Sequence, residues 1–155
     1  MNTVVVDAFN AVNLKKVPAK VNDMLLLIDA AEPIFQLKGK NLEEACSNHA
    51  QDLMFYDTTL AECKTIEDAI RIKVEEIEGE LYKKYNENHS RALGTRDIQS
   101  YIKGDPAYVA AHAVLLEVVY VKRKLEAIVE ALKSMGWSLG HIVKIRIAQL
   151  EDTTL

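Results

Sequence analysis

The chain has 155 residues, 49% of them apolar, and a formal net charge of −4. This length favours a single domain, and this apolar content excludes an intrinsically disordered chain. The two cysteines do not make a disulfide framework, and the sequence lacks the roughly 18 consecutive apolar residues of a membrane-spanning helix. The first residues do not follow the pattern of a signal peptide. We therefore expect a cytoplasmic protein with reduced cysteines and no membrane contact.

Residues 1–40 are predicted to form an N-terminal extension that contains one short helix. The Asn22-Asp23 pair can cap this helix, which then extends through Met24 to Ala31. Pro33 ends it, because proline disfavours a helical conformation in the residue that precedes it.

Residues 41–155 are predicted to form the main helical domain, which begins with a helix from about Asn41 to about Tyr85. Its apolar side chains recur in steps of four and three, and this period near 3.5 places them on one stripe of the helix. The pattern slips once, at Glu67. At ~1.5 Å per residue the helix would extend roughly 65 Å, so its stripe needs a second long helix and favours further copies of the chain. The stripe contains Leu42, Cys46, His49, Leu53, Tyr56, Leu60, Cys63, Ile70, Val74, Ile77 and Leu81.

Two helix starts follow this long helix. Thr95 is predicted to cap a short helix that extends through Tyr101 and ends at Gly104. Asp105 is then a helix cap and Pro106 a first helical residue, a position at which its missing N–H is not needed. A second long helix is therefore predicted to begin at Pro106.

The second long helix is predicted to end at Met135, before Gly136. One apolar stripe follows its length, and a further apolar set makes its first half apolar nearly all round, which predicts burial on every side. Ser138 can cap a last short helix through about Leu150. The predicted fold is therefore all-α: a long heptad-patterned helix packed against a second long helix, with short helices at both ends, in an oligomeric assembly. The further apolar set is Tyr108, Val109, His112, Leu115, Leu116 and Val119.

No group of residues has the pattern of a catalytic or metal site. The nucleotide-binding motifs GxxxxGK[ST] and GxGxxG do not occur, and the four histidines are scattered without the spacing of a zinc site. Cys63 has Glu62 beside it, whereas a nucleophilic thiolate needs an electropositive setting. We therefore expect a protein that is not an enzyme and that needs no cofactor or metal.

Basic and aromatic side chains occur together between the two long helices. Proteins that bind single-stranded nucleic acid contact phosphates with cations and stack bases on aromatic rings, so this segment indicates nucleic-acid contact. The alternative is that the cations line a solvated helix face and that the tyrosines pack between helices with their hydroxyls in water. The residues in question are Lys83, Lys84, Tyr85, Arg91, Arg96 and Lys103.

The C-terminal part of the chain resembles the UvsY-like recombination mediators of T-even-type bacteriophages. The resemblance rests on residues 131–142, whose sequence is ALKSMGWSLGHI, and on Arg146 after them. These residues form a basic turn, an aromatic residue and a final helix with His-Ile and an arginine. Shorter similar blocks occur upstream, at residues 53–56 and 70–72, so the similarity covers roughly residues 46–149.

The resemblance implies a ring-like homo-oligomer, larger than a tetramer, that forms through the C-terminal helices. It also implies binding of single-stranded DNA and loading of a RecA-type recombinase in place of the single-strand-binding protein, in the cytoplasm of an infected bacterium. The family's DNA-contact motif places a lysine and an arginine before a tyrosine, and Lys83 and Lys84 before Tyr85 are the nearest match here. The implied oligomerisation residues are Leu132, Trp137, Leu139, Ile142, Val143 and Leu150.

Two other functions are compatible with the sequence. The chain could be a coiled-coil scaffold or adaptor with only protein partners, or a small-molecule or regulatory four-helix protein with a buried pocket. Retention on single-stranded DNA cellulose separates a mediator from a scaffold. Light scattering separates the third function from both, because such a protein would be monomeric or dimeric.

Overall fold

The computed structural model describes residues 16–37, 39, 41–87 and 94–152 of the chain. These residues form four α-helices and one short 3-10 helix, which confirms the predicted all-α class with two long helices packed together. In chain order the elements are α1 (Val17–Asp29), the 3-10 helix (Glu32–Phe35), α2 (Leu42–Glu87), α3 (Thr95–Gly104) and α4 (Pro106–Asp152).

The two long helices begin where the sequence predicts their caps. The side-chain oxygen of Asn41 accepts a hydrogen bond from the Glu43 N–H at 3.2 Å, at the start of α2. The Oδ1 atom of Asp105 accepts one from the Ala107 N–H at 2.9 Å, at the start of α4. Each bond satisfies an N–H that has no partner within its own helix, so both predicted starts are confirmed.

The two long helices are antiparallel and share the central core of the molecule. Cys63 of α2 lies against α4, with its sulfur 3.8 Å from the Val118 carbonyl oxygen, and His49 lies opposite Gly136. The predicted apolar stripe of α2 is therefore buried over its middle part. Burying one such aliphatic side chain contributes about 1.5–3 kcal/mol. The core residues of the two helices include Tyr56, Leu60, Cys63, Ile70, Val74, Val118, Val121, Leu125, Val129 and Leu132.

A buried ion pair lies at the position where the α2 stripe slips. Glu67 is 4% exposed, and its carboxylate is 2.7 Å from the Lys122 ammonium and 2.6 Å from the Arg71 guanidinium. Burial by itself raises the pKa of Glu67, but the hydrogen bonds from Lys122 and Arg71 outweigh it and hold this pKa below its usual value. A buried charge is stable only with such partners, so α4 has to place Lys122 opposite Glu67. This requirement favours one register of α2 against α4.

Helix α1 begins earlier than the sequence analysis predicted. It starts at Val17 instead of near Met24, because Pro18 suits the first turn of a helix, where its missing N–H is not needed. Val17 and Met24 are both buried in the central core. The Tyr56 hydroxyl of α2 donates a hydrogen bond to the Leu27 carbonyl oxygen at 3.0 Å, which ties α1 to the long-helix pair.

The short helix before α4 matches the prediction except at its cap. Thr95 is the first residue of α3, and Gly94 precedes it without a side-chain cap, so the cap predicted at Thr95 is wrong. Ile98 and Ile102 are 1% and 2% exposed and pack with Leu81 of α2. These apolar contacts, and not a capping bond, hold α3 against the long helices.

The predicted break at Gly136 is wrong, because α4 continues without interruption to Asp152. A β-carbon at Gly136 would lie 2.7 Å from Nε2 of His49, so this glycine leaves room for the imidazole ring of His49 against α4. Glycine inside a helix costs only about 1 kcal/mol relative to alanine, so it does not have to end the helix. Ser138, the predicted cap of a separate last helix, lies inside α4, where its hydroxyl donates to the Ser134 carbonyl oxygen at 3.3 Å.

The first half of α4 is not buried on every side, contrary to the prediction. Ala111 and Leu115 are buried in the central core. On the outer side, Val109, Leu116 and Tyr120 are 51%, 59% and 54% exposed. The other described helices therefore cover one face of this segment and leave an apolar surface on the opposite face.

Candidate nucleic-acid interface

The end of α2, the whole of α3 and the start of α4 meet at one end of the long-helix pair. Leu81, Ile98 and Ile102 form a small apolar core there, against which Tyr85 and Tyr108 pack. Because α3 is amphipathic, its two isoleucines face this core and most of its polar residues are exposed. The packing therefore brings the predicted DNA-binding residues of α2 and those of α3 to the same end of the molecule.

Asp105 joins these three elements through its side chain. Its Oδ2 atom accepts a hydrogen bond from the Tyr85 hydroxyl at 2.9 Å and lies 3.6 Å from the Lys84 ammonium. Its Oδ1 atom caps α4 at the Ala107 N–H. The bonds from Ala107 and Tyr85 hold the pKa of Asp105 below its usual value, and the bond to Asp105 raises the pKa of Tyr85. At neutral pH the pair is therefore a carboxylate and an uncharged tyrosine.

Two tyrosine rings stack beside this carboxylate. The rings of Tyr85 and Tyr101 are inclined by 28° with their centroids 5.7 Å apart, and Tyr101 is 49% exposed. The Lys84 ammonium lies 5.2 Å from the centroid of the Tyr85 ring, within the range of cation–π attraction. Tyr85 is half-buried, and Tyr82 adds a second exposed ring at this end of α2. Exposed rings beside a cation are the combination on which nucleic-acid bases stack.

Exposed cations occupy the same end of the molecule. Lys83 on α2 and both Arg96 and Lys103 on α3 are exposed, while Arg91 lies outside the described residues. Asp97 on α3 is also exposed and reduces the net positive charge. A phosphate backbone could contact several of these cations at once, although each contact alone is weak in salt.

The six cations of α4 are only partly available for a ligand. Lys122 pairs with the buried Glu67, and its side chain is 23% exposed. Lys133 pairs with Glu130 at 2.8 Å on the same helix. The other four, Arg123, Lys124, Lys144 and Arg146, are exposed. We select the end of the molecule that carries α3 as the candidate site because cations from two helices meet there beside the stacked tyrosines.

The residues implied in oligomerisation divide into buried and accessible ones. Leu132 and Leu139 are 0% and 4% exposed, so they pack inside a single chain and do not form its surface. The side chain of Leu150 lies outside the described residues. The accessible members are Trp137 (79% exposed), Ile142 (38% exposed) and, in part, the half-buried Val143.

The histidine, cysteine and acidic residues of the described chain are dispersed. No group of three of them in this part of the chain could hold a metal ion. Burial, followed by the nearby Glu67 carboxylate, raises the pKa of the Cys63 thiol to about 11, so the thiol stays protonated at neutral pH. Within the same residues, no helix combines the length and the apolarity that a membrane crossing requires.

Two apolar grooves flank α1, and both open to the surface. Their volumes are about 520 Å³ between α1 and α2 and about 500 Å³ between α1 and α4. The α1–α2 groove is lined by Lys20, Asp23, Met24, Leu27, Gln51, Met54, Phe55, Thr58, Thr59 and Glu62. The α1–α4 groove is lined by Pro18, Val21, Asn22, Leu25, Leu116, Glu117, Tyr120 and Val121.

Sequence reasoning missed the contacts that organise the candidate interface. It identified Asp105 as a cap but not as the acceptor for Tyr85, since the two are 20 residues apart and meet only after α3 folds back. The spacing of Ile98 and Ile102 indicates which face of α3 is buried. Combined with the chain reversal at Asp105, that spacing could have predicted that α3 returns to the end of α2.

Comparisons of the chain with protein-family models, with curated proteins and with solved structures found no match. The candidate interface is therefore the feature of the molecule that bears most directly on its function. Its main features are the exposed cations, the stacked tyrosines and the carboxylate of Asp105 that links them.

Proposed function

We propose that this chain is a non-enzymatic recombination mediator. It binds single-stranded DNA as a homo-oligomer and helps to load a RecA-type recombinase in place of the single-strand-binding protein. The observation that carries the proposal is the convergence of cations and tyrosines where α2, α3 and α4 meet. The resemblance of residues 131–142 to the UvsY-like mediators supports the recombination role.

The chemistry of the interface suits a single strand. Lys83, Arg96 and Lys103 are exposed and can contact phosphates, while the exposed ring of Tyr101 offers a surface for an unpaired base. Stacking on an aromatic ring contributes about 1–3 kcal/mol per base and tolerates every base. Binding would therefore depend little on sequence, as a mediator that acts along a whole strand requires.

Assembly would compensate for the weakness of a single interface. The chain as a whole is acidic, with a net charge of −4, and one interface offers only a few phosphate contacts. In a homo-oligomer the same strand would contact several copies, and linked binding raises the apparent affinity by about 10²–10⁴ without any new contact. A strand held by several subunits would also be ordered for a recombinase.

The DNA-binding step is tested with Lys83→Ala/Lys84→Ala in a fluorescence anisotropy titration of a labelled oligonucleotide. We expect the affinity to fall about tenfold or more. The slope of log affinity against log salt concentration should become shallower by roughly 0.7 for each lysine removed from a bound site. The matched control is Arg123→Ala/Lys124→Ala, which removes two exposed cations from the middle of α4. Equal affinity for the variant and the unaltered protein would contradict this interface.

The mediator step is tested separately. A strand precoated with single-strand-binding protein is mixed with a RecA-type recombinase, and filament formation is followed by the recombinase's DNA-dependent ATP hydrolysis. We expect the unaltered protein to shorten the lag before hydrolysis and Lys83→Ala/Lys84→Ala to shorten it less. A protein that binds DNA but leaves the lag unchanged would be a single-strand binder without mediator activity.

A coiled-coil scaffold with only protein partners is the second candidate function. Exposed apolar side chains favour it, because Trp137 and Met54 are 79% and 74% exposed and large exposed apolar residues mark protein interfaces. Such a protein would pass through single-stranded DNA cellulose at low salt, whereas a mediator would be retained.

A further inference from the structure

The α1–α2 groove is held open by contacts within the chain. The Tyr56 hydroxyl donates a hydrogen bond to the Leu27 carbonyl oxygen at 3.0 Å, and Met24 of α1 is buried in the central core. These contacts fix α1 beside α2, so the groove between them is part of the fold. Its volume is about 520 Å³. Its α2 wall extends from Gln51 to Glu62, which corresponds to roughly 16 Å, or about three helical turns.

The α2 wall of this groove offers accessible apolar side chains. Met54 and Phe55 line the groove and are 74% and 49% exposed. Thr58 and Thr59 line it as well, but their hydroxyls donate within α2, to the carbonyl oxygens of Met54 and Phe55 at 2.8 and 2.9 Å. These hydroxyls therefore need no polar partner from a ligand. Methionine is flexible and polarisable, and it recurs on surfaces that bind varied apolar partners.

The charged side chains around the groove are mainly acidic. Asp23 of α1 and Glu62 of α2 line it, and neither forms an ion pair with another described residue. Lys20 is the one cation among the lining residues. The surrounding part of α2 adds negative charge, because residues 41–63 contain five acidic residues and no lysine or arginine. A ligand that matches this rim therefore carries positive charge.

The length, lining and charge of the groove suit one class of ligand. A groove between two helices accepts the apolar face of a third helix, through side chains at positions i, i+3 or i+4, and i+7. Three turns provide space for these side chains. An amphipathic helix with lysines or arginines beside its apolar face would contact Met54 and Phe55 with that face. Its cations would then lie near Asp23 and Glu62.

We propose that the α1–α2 groove binds a basic amphipathic helix of a protein partner. The apolar contacts supply most of the affinity, because charges at the rim are screened by water and salt. The acidic rim selects a basic helix over an acidic one.

This groove is separate from the candidate nucleic-acid interface. Along α2, the distance from Glu62 at the groove to Tyr82 at the interface is roughly 30 Å at ~1.5 Å per residue. A DNA strand and a partner helix could therefore be bound at the same time. The inference requires neither DNA binding nor self-assembly, and it goes beyond the proposed function.

The test uses a fluorescently labelled model peptide and the full chain. The peptide has about 15 residues, enough for a helix to form on binding, with leucines along one helical face and lysines along the other. A second peptide carries glutamate in place of every lysine. In an anisotropy titration we expect saturable binding of the lysine peptide and at least about tenfold weaker binding of the glutamate peptide. A chain that binds neither peptide, or both equally, would overturn the proposal.

The apolar wall is tested with Met54→Ser/Phe55→Ser, which is expected to weaken binding of the lysine peptide at least about tenfold. The matched control is Leu116→Ser/Tyr120→Ser in the α1–α4 groove. It is expected to bind the peptide as the unaltered protein does. All four residues are at least 49% exposed, so circular dichroism should show unchanged helix content. Equal weakening by the two variants would mean that the peptide binds apolar surface without preference, and the proposal would fail.

The acidic rim is tested with Asp23→Lys/Glu62→Lys. Together with Lys20, the two new lysines make the rim basic, so this variant is expected to bind the glutamate peptide more tightly than the lysine peptide. The control is Glu78→Lys/Glu80→Lys, the same change of charge at exposed residues farther along α2, and it should keep the original preference. A control that reverses the preference to the same extent would show that net charge, and not the rim, selects the peptide.

Nuclear magnetic resonance of methionine methyl groups locates the bound peptide. Met54 lines the α1–α2 groove, whereas Met135 lines neither groove. In a chain with isotope-labelled methionine methyl groups, the lysine peptide is expected to shift the Met54 signal and to leave the Met135 signal in place. The Met54 signal is identified by its loss in Met54→Ser/Phe55→Ser. A Met54 signal that stays in place while the peptide binds would put the helix elsewhere and overturn the proposal.

Two further measurements separate this inference from a second copy in the groove and from the proposed function. Light scattering is expected to give Met54→Ser/Phe55→Ser the mass of the unaltered protein. A lower mass would mean that another copy of the chain fills the groove, which overturns the proposal. The same variant should bind an oligonucleotide with unaltered affinity, and Lys83→Ala/Lys84→Ala should bind the lysine peptide with unaltered affinity. Failure of peptide binding would therefore leave the proposed function intact, and failure of DNA binding would leave the groove proposal intact.

Discussion

The centre of the α2–α4 pair and the far end of α4 carry the same kind of apolar stripe in different surroundings. At the centre, Val118, Val121 and Leu125 are fully buried between the helices. Beyond the start of α2, Ile145 and Ile147 are 57% and 52% exposed. The sequence is no less apolar at the end than at the centre, but among the described residues only the centre lies against a second long helix.

This difference shows that a heptad pattern predicts a helix that packs against a partner helix. The pattern does not show whether the partner belongs to the same chain or to another. α2 supplies the partner for the centre of α4, whereas the side chains of residues 144–149 are exposed. The centre differs from the end in a second way, because it contains the buried ion pair of Glu67 and Lys122. The contacts of the centre are therefore formed within one molecule, whereas the apolar side chains of the end remain exposed.

The largest expected effect compares a core residue with an end residue. Leu125→Ala removes a fully buried side chain and should lower the free energy of unfolding by about 2–5 kcal/mol, because it leaves a cavity between the helices. Ile147→Ala, a truncation on the same stripe at the exposed end, should lower it by less than about 0.5 kcal/mol. Urea unfolding of both variants measures the contrast, and equal losses would show that the end is covered after all.

The next effect concerns the buried carboxylate at the centre. Glu67→Gln removes the charge that Lys122 and Arg71 bind, so the free energy of unfolding at pH 7 should fall by about 1.5–3 kcal/mol. The folded-state pKa of Glu67 is lowered, so its contribution is complete above the unfolded pKa of about 4.3 and is lost as the pH falls through the folded pKa.

Urea unfolding at pH 7 and at successively lower pH measures this effect. The difference between the unaltered protein and Glu67→Gln should shrink below about pH 4, because both then carry an uncharged group. The control is Glu126→Gln, whose partner Lys64 lies 3.6 Å away on the surface and which should cost less than about 1 kcal/mol. A pH-independent difference for Glu67→Gln would show that the residue acts through packing.

The features that the sequence predicts correctly are local ones. The caps at Asn41 and Asp105 are followed within two residues by the N–H groups that they bind, so neighbouring residues are enough to locate them. The α2 stripe is predicted for a similar reason, because helical spacing alone determines which side chains share a face. The all-α class and the pair of long helices follow from these two signals.

The features that the sequence does not predict depend on distant residues. Gly136 is a typical helix end when it is considered alone, but His49 of α2 needs the space that a glycine leaves. Lys122 looks like part of a basic surface until Glu67 is placed beside it. In the candidate interface, the stacking of Tyr85 on Tyr101 likewise depends on the return of α3. Each of these contacts joins two elements, and the spacing within one element does not report it.

A smaller effect is expected at Gly136, where the His49 ring of α2 lies against α4. Gly136→Ala gains about 1 kcal/mol of helix propensity, but its β-carbon would lie 2.7 Å from Nε2 of His49, and overpacking costs about 1–3 kcal/mol. We expect a net loss of about 1 kcal/mol in the unaltered background and a gain of about 1 kcal/mol in a His49→Ala background. Equal effects in the two backgrounds would show that the His49 side chain moves aside without cost.

The smallest expected effect concerns the other end of the pair, where the proposed function predicts that Asp105 competes with a DNA phosphate for Lys84. Asp105→Asn retains an oxygen to cap Ala107 and a polar group near Tyr85, but it removes the negative charge 3.6 Å from the Lys84 ammonium. Single-stranded DNA should therefore bind about two- to fivefold more tightly. Asp105 is largely buried, but its partner Lys84 is 58% exposed, and an ion pair screened by solvent in this way contributes at most about 1 kcal/mol. Anisotropy at low salt measures this change.

The control for Asp105→Asn is Asp97→Asn, which removes one exposed carboxylate from the same end of the molecule. If the gain comes from release of Lys84, it should be larger for Asp105→Asn than for Asp97→Asn and should disappear when Lys84→Ala is added. If the two variants gain equally, general charge at this end is responsible and the Lys84–Asp105 contact has no specific role. Weaker binding by Asp105→Asn would instead indicate that the carboxylate positions Tyr85 and α4 for the strand, so that its structural contribution exceeds its competition for Lys84.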